Sequence, residues 1–386
     1  MPKVPSIQPN LVQVAWALNL YRLGNNIAGV FVPLIILRSG GKLWMIGLFY
    51  LLYACIKLCI NYPLMRIIQI RGAHFGLGAG FTFSILEIAS ILGYSHYSGL
   101  VFLIFAGVFL AFTNGFVWNA QHFFISRNMD STTKSSSIAS IEIYGRVFDI
   151  VGPIMGGFIG VEFGVGWLLA AAIICIAATV RPLTKMTSLA LVAEPVHIRY
   201  GLHGAPKRDL VANFCFNIET TIGTMIWPIY LAVVIASFKY IGGIAAIAAV
   251  AAIVTTWIAG RRGDRGKDRS VLRQGVTASS IVDVLRTITV ASSAITVIGA
   301  AYQATLAYFI NPWTSTYYQH AQDEGPQYII SMEIACDLAY VTLWGLFFIL
   351  VTTISDARVI FNIIFLVAAG AAWGCLLITH QTRKRY

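Results

Sequence analysis

The chain has 386 residues, of which 58% are hydrophobic and only 11% charged, where an ordinary soluble domain has about a quarter charged; this excludes a soluble protein. A spanning helix takes about 20 mostly apolar residues, so roughly a dozen occupy the chain and leave no room for a separate soluble domain, and continuous apolar runs exclude a porin-like barrel. The formal net charge of +11 does not point to nucleic acid, because the basic residues sit between apolar runs and not on one folded face.

Read against Gly, Pro and charge breaks, spans are expected at 11–37, 42–62, 74–94, 99–125, 136–160 and 164–182, then at 209–235, 240–259, 272–292, 294–315, 327–354 and 358–380. The first is too long for a signal-peptide core and lacks a small-residue cleavage site, so it is expected to be retained. Basic residues collect in alternate connections: Lys3, Arg66, Arg71, Arg127, Lys134, Arg181, Lys185, Arg199, Lys207, Arg208, the Arg261 to Arg273 cluster and Arg383 to Arg385. The opposite loops hold Arg38, Lys42, Lys239 and Arg358. This bias predicts both termini in the cytoplasm. The longest connection, 183–208, reads as a cytoplasmic linker whose MTSLALVAE stretch could lie at the interface as a short helix. Cys55, Cys59, Cys175, Cys215, Cys336 and Cys375 fall inside spans without metal-ligand spacing and read as packing residues.

Sliding the second half onto the first by about 195 residues aligns two separate places, as a duplication would leave them. Pro33 in VFVPLIIL meets Pro228 in MIWPIYLA, and MRIIQIRGAH after span 2 meets GRRGDRGKDR after span 8, with Gln69 opposite Asp264. Six being even, the halves 1–182 and 209–386 insert in parallel about an axis along the membrane normal. The expected fold is therefore an all-α integral membrane protein of about twelve helices in two six-helix halves.

These features resemble the major facilitator superfamily of secondary transporters over essentially the whole chain. Gly260, Asp264 and Arg265 match its loop motif Gly-x-x-x-Asp-Arg-x-Gly-Arg-Arg, with Lys267 at the later Gly position; the first-half copy keeps Gly72 but has Gln69 for the Asp. GPIMGG, Gly152 to Gly157, matches the end of the motif associated with antiporters. The resemblance implies alternating access without a cofactor, with Gly260, Asp264 and Arg265 as a gating latch. Its small-residue runs, GPIMGG in span 5 and GGIAAIAAVAA in span 8, allow close backbone approach, so these spans are read as an interface between the halves, with Gly152 and a bend at Pro153 taking part in gating.

Ionisable groups at membrane depth cost about 2.5 to 3.5 kcal/mol each unless paired, protonated or hydrated. Arg22 in NLYRLGNN and Glu219 in NIETTIG lie at similar depth in spans 1 and 7, and the resemblance puts both near a central cavity. Arg22, with Asn25 and Asn26, could hold an anionic group; Glu219 could carry a proton; a permanent ion pair is the other reading. Glu142, Arg146 and Asp149 share one face of span 5, and Glu333 and Asp337 share one of span 11, where Asp337 is the repeat partner of Glu142. This set, with Glu219, is the expected proton-coupling group; a static network is the alternative. Asp283 and Arg286 are expected to pair with each other in a peripheral span, Glu87 to be peripheral, and Lys57 to snorkel from near the end of span 2.

Amides beside aromatics suit an organic solute: Asn114, Trp118, Asn119, Gln121 and His122 in span 4, and Tyr302, Gln303, Tyr308, Asn311 and Trp313 in span 10. Of these Trp118, Asn119, Tyr302 and Gln303 are taken as solute contacts. The function expected is a non-enzymatic secondary active transporter for a small organic solute, anionic or amphipathic, coupled to protons, with export by antiport favoured over symport. It is expected to act as a monomer in a bacterial inner membrane, with the bilayer, the solute and protons as partners and no metal, cofactor or nucleic acid. No phosphate-binding loop is present to drive it with ATP. A membrane-embedded enzyme acting on lipid and a non-transporting sensor on a transporter fold are the alternatives.

Overall fold

The computed structural model describes residues 9–128, 134–185, 198–263, 267–289 and 291–378. Among them every regular element is helical. Helix α1 runs Pro9–Ala28, tightens into a 3-10 turn at Gly29–Phe31 and resumes as Val32–Arg38. It is followed by α2 Leu43–Arg71, α3 Ala73–Tyr97, α4 Leu100–Asn128, α5 Lys134–Glu162 and α6 Val165–Ala177, with a short continuation Val180–Thr184. A 3-10 segment, Ile198–Gly204, precedes α7, which runs Lys207–Thr221, passes through a π-turn at Ile222–Ile226 and continues as Trp227–Val234. Then come α8 Phe238–Gly263, α9 Asp268–Ile288, α10 Ser292–Glu324, α11 Pro326–Thr353 and α12 Ala357–Gly374. The MTSLALVAE stretch, Asp264 and Arg265 lie outside the described residues, as do the side chains of Glu142 and Arg146.

Among the described residues nine helices are long and apolar enough to cross a membrane. The long helices outside that group are α5, α7 and α9, which carry Glu142 to Asp149, Glu219, and Asp283 with Arg286.

The internal repeat has a structural counterpart. With a shift of about 195 residues, Leu43 at the start of α2 falls on Phe238 at the start of α8, and Ala73 of α3 on Asp268 of α9. The breaks in α1 and α7 also coincide, each just before its proline. A proline ring clashes with the carbonyl four residues back and offers no N–H to it; those carbonyls belong to Gly29 and Thr224, both inside the broken turns. Gly80 and Gly275 are equivalent too. A Cβ on Gly80 would lie 2.5 Å from Val117 Cγ2 and one on Gly275 2.6 Å from Phe309 Cβ, so each glycine lets α3 meet α4, or α9 meet α10, closely.

The described chain divides into two compact units, one of residues up to 195 with Leu231–Ala246, the other of 196–230 with 247 onward. In the first, α1 packs on α5 and α6, and α3 on α4 and α6. In the second, α7 packs on α11 and α12, and α9 on α10 and α12, the same pairs under the repeat. The segment 231–246 brings the start of α8 against α5 within the first unit. A Cβ on Gly242 would stand 2.5 Å from the Pro153 carbonyl oxygen, and one on Gly157 3.0 Å from that of Phe238. Arg38 closes the same end by donating to the Ala236 carbonyl at 2.7 Å, its guanidinium 4.8 Å from the Phe238 ring centroid.

Three expectations need correcting. Span 10, expected to end at 315, runs on to Glu324. The second span does not end before Pro63 but runs on to Arg71, where Gly72 at φ 92° stops it; a membrane helix tolerates an internal proline. Lys57 is therefore at mid-helix, too far from either end to snorkel, and is only 2% exposed.

Candidate functional site

Two polar centres stand out, one in each unit. In the first, α1 turns Arg22, Asn25 and Asn26 toward its neighbours. Asn26 Nδ2 donates to Asp149 Oδ1 at 2.8 Å, and Arg22 Nε lies 3.4 Å from the same oxygen. The α5 face that receives them is thin: a Cβ on Gly145 would meet the Arg22 guanidinium, and one on Gly152 would come within 2.5 Å of Asn26 Cβ. Two helix turns of glycine spacing, Gly145 to Gly152, thus set the ion pair. On the other side Ser84 of α3 donates to Asn25 Oδ1 at 3.4 Å. The Arg22 and Asp149 side chains remain 33% and 22% exposed.

The second centre is sealed. Glu219, Ser279, Asp283, Arg286 and Tyr302 are all buried. Ser279 donates to Glu219 Oε1 at 2.7 Å, and Tyr302 donates from its hydroxyl to the Glu219 backbone carbonyl at 3.2 Å. Asp283 and Arg286 pair through Oδ1 and Nη1 at 2.8 Å, as the spacing of three predicts. The guanidinium carbon sits 3.8 Å from the Tyr302 ring centroid, 4.4 Å from that of Trp227 and 5.5 Å from that of Phe365. Such cation-π contacts are worth about 2 kcal/mol when desolvated, which offsets part of the cost of burying an arginine. The π-turn after Glu219 contains Gly223, and any side chain there would overlap the Tyr302 ring. The expected Asp283–Arg286 pair is present, but in the core of its unit beside Glu219, where sequence reasoning saw a peripheral one.

Hydrogen-bond accounting separates this cluster from an ordinary buried network. Glu219 Oε2, Asp283 Oδ2, Arg286 Nε and Arg286 Nη2 are buried with no partner in the structure. An orphaned buried polar atom costs about 1–3 kcal/mol, more if charged, so structure alone gives no reason to keep four of them together.

A third line of polar groups follows the other face of α7 at spacing four: Asp209, Asn213 and Asn217, all buried. Asp209 Oδ2 lies 2.7 Å from His320 Nδ1 and accepts from the Tyr328 hydroxyl at 3.0 Å. Asn213 donates to the Met332 carbonyl at 2.5 Å, Asn217 to the Asn213 carbonyl at 2.8 Å, and Cys336 Sγ donates to Asn217 Oδ1 at 3.1 Å. These bonds knit α7 to α10 and α11.

The other expected site residues are placed as follows. Trp118 is 46% exposed and donates to Asn114 Oδ1 at 3.1 Å, whereas Asn119, its chain neighbour, points inward and donates to Asn61 Oδ1 at 2.6 Å. Helical geometry sends adjacent residues to different faces, so the two do not share a surface. Gln303 is half-buried beside Tyr302; Glu333 and Asp337 are buried on α11. Gly260 lies exposed in the last turn of α8. Sequence reasoning did not single out Ser84, Ser279, Asn61, Asp209, Asn213 or His320. The repeat register could have found the first two, because Ser84 falls on Ser279 as Gly80 falls on Gly275.

No protein-family model and no curated protein sequence matches the chain. Solved structures do. A bacterial homologue of the iron transporter ferroportin, in its inward-facing state, superposes with a TM-score of 0.68 at 13% identity, covering 96% of this chain and 97% of that one. A nucleoside transporter gives 0.65 at 11% identity, covering 96% and 98%, and a D-xylose-proton symporter 0.62 at 13%, covering 94% and 97%. The likeness runs end to end, so the chain has the fold of the major facilitator superfamily transporters, the fold that its loop motif and six-plus-six pattern led us to expect.

Proposed function

We propose that the chain is a secondary active transporter that moves a small organic solute by alternating access, coupled to protons. The observation that carries this reading is the contrast between the two polar centres: one partly exposed, the other sealed, under-bonded and rich in carboxylate. Arg22, Asn25, Asn26 and Asp149 supply a guanidinium, two amides and a carboxylate on a partly exposed surface, a set suited to a solute with an anionic or hydrogen-bonding group. Gln303, half-buried, is read as a solute contact, Tyr302 as part of the sealed centre, and Glu219 as the proton carrier, with Glu142, Arg146, Asp149, Glu333 and Asp337 lining the route. An ionised cluster of Glu219, Asp283 and Arg286 carries one negative charge in excess, and a proton neutralises it.

Export by antiport is the direction favoured by the GPIMGG run, with Gly152 and Pro153 at the joint of α5 and α1. The basic loops favour cytoplasmic termini in a bacterial inner membrane. The structurally similar proteins are transporters of a metal, a sugar and a nucleoside, and the side chains that converge at the partly exposed centre here favour the organic class. A thermal-shift screen of purified protein against metabolites, drugs and divalent metals, followed by counterflow of the hits into proteoliposomes, tests this. Saturable counterflow of an organic hit supports the reading; hits confined to metal ions, or binding without counterflow, overturn it.

A further inference from the structure

The sealed centre holds more chemistry than a proton carrier needs. Arg286 uses one nitrogen, Nη1, on Asp283, while its Nε and Nη2 atoms have no partner. Those two N–H groups form one edge of the planar guanidinium, the fork that accepts a carboxylate in bidentate fashion. The aromatic rings of Tyr302 and Trp227 hold the guanidinium between them, so the unused edge is fixed in direction. Glu219 is the neighbouring carboxylate, and its Oε2 also lacks a partner while Oε1 is held by Ser279. Two orphaned donors and an orphaned acceptor within one buried cluster are complementary in charge and in shape.

We propose that the Nε–Nη2 edge of Arg286 is the seat of Glu219 in its deprotonated state, so that loss and gain of one proton docks α7 on α9 and releases it. The proposal rests on the reading of Glu219 as the proton carrier and adds the residue that senses its charge. The step balances simply: a proton from water forms an O–H bond at Glu219 Oε2, the carboxylate loses its charge, and the guanidinium keeps Asp283 alone as counter-ion. When that O–H bond breaks to water, the restored carboxylate is drawn onto the free edge. Arg286 is a positioning residue in this scheme, because it acts only through Glu219. The π-turn at Ile222–Ile226, next to Glu219 and ending at Trp227, supplies the place where α7 can shift, since its register is already broken there. Among the described residues the titratable and polar groups facing Glu219 are Ser279, Asp283 and Arg286 on α9, Tyr302 on α10 and Cys375 after α12, with Cys215, one turn earlier on α7, beside Cys375. Arg286 is the one cation among them.

The test is an infrared pH titration of the full-length protein in lipid, following the protonated carboxyl band that Glu219→Gln removes. Removing the counter-ion in Arg286→Gln should move the midpoint of that band to higher pH by about one unit, a tenfold change in proton affinity. Asp283→Asn, which frees Arg286 for Glu219, should move it to lower pH by a comparable amount. Arg286→Lys, which keeps the charge but loses the fork, should fall between wild type and Arg286→Gln, and it decides the matter with Asp283→Asn if Arg286→Gln does not fold. Equal midpoints in wild type, Asp283→Asn and Arg286→Lys overturn the proposal, as does a Glu219 band that never titrates while the protein stays folded. Failure of the underlying reading looks different: gradient-driven transport would survive in Glu219→Gln, a result on which the titration does not depend.

Discussion

Ser84 and Ser279 occupy the same place in the two halves, each four residues beyond a glycine at a close helix crossing, yet they serve different partners. Ser84 reaches a neutral amide, Asn25, over 3.4 Å beside the partly exposed Arg22–Asp149 pair; Ser279 binds a carboxylate, Glu219, at 2.7 Å in a fully buried centre. One duplicated scaffold thus carries a partly exposed, nearly balanced site in one half and a buried, charge-excess site in the other. The difference teaches how a repeat diverges: backbone crossings are kept, and a few side chains on the first helix of each half give one centre partial exposure and the other full burial.

The largest effect should come from breaking the buried centre. Arg286→Leu leaves two carboxylates unpaired in an apolar interior and should cost about 3–5 kcal/mol, whereas Asp283→Leu combined with Arg286→Leu should recover most of that loss, since an apolar replacement of both partners is often neutral. Thermal unfolding in detergent checks both, and equal melting of single and double variants would erase the distinction between the centres. Gly223→Ala should follow at about 1–3 kcal/mol, the range for overpacking a filled site, because its Cβ enters the Tyr302 ring; melting comparable to wild type would show that Tyr302 moves freely.

The serines give the sharpest comparison. Ser279→Ala removes a short bond to a carboxylate and should cost about 1.5–3 kcal/mol, while Ser84→Ala, losing a long neutral one, should cost about 0.5 kcal/mol. Equal losses in parallel melts would mean that the two sites are not differentiated as described. The smallest stability change is expected in the partly exposed centre: Arg22→Gln should leave melting nearly unchanged, because exposed ion pairs contribute about 0–1 kcal/mol, and should instead weaken the solute's apparent affinity about tenfold, near 1.4 kcal/mol, in a binding titration of a screen hit.

Much of the fold was legible from the chain because apolar length and loop charge are strong signals, and because prolines 33 and 228 mark a repeat that the helix breaks reproduce. The exceptions were α2 and α10, expected to end at 62 and 315 but running on to Arg71 and Glu324; in α2 the membrane lets the helix pass Pro63 and continue to Gly72. That misplaced Lys57 by half a helix. The site was less legible. Arg22, Asp149, Glu219 and the Asp283–Arg286 pair stand out as charges in apolar text, but their grouping depends on which helices pack, and adjacency of α7, α9 and α10 is invisible to periodicity. Neutral partners such as Ser279 and Asn61 leave no trace at all until a register is imposed. The Asp209–His320 contact joins positions 111 residues apart, and no local spacing announces it.

The central claim is that the buried centre couples protons while the partly exposed centre engages solute. It is tested most directly by comparing two assays on Glu219→Gln in proteoliposomes, using an organic hit from the screen: counterflow, which needs only solute exchange, and transport driven by an imposed pH gradient. The account predicts that counterflow persists near wild-type rates while gradient-driven transport is lost. Gradient-driven transport at the wild-type level in this variant would contradict it.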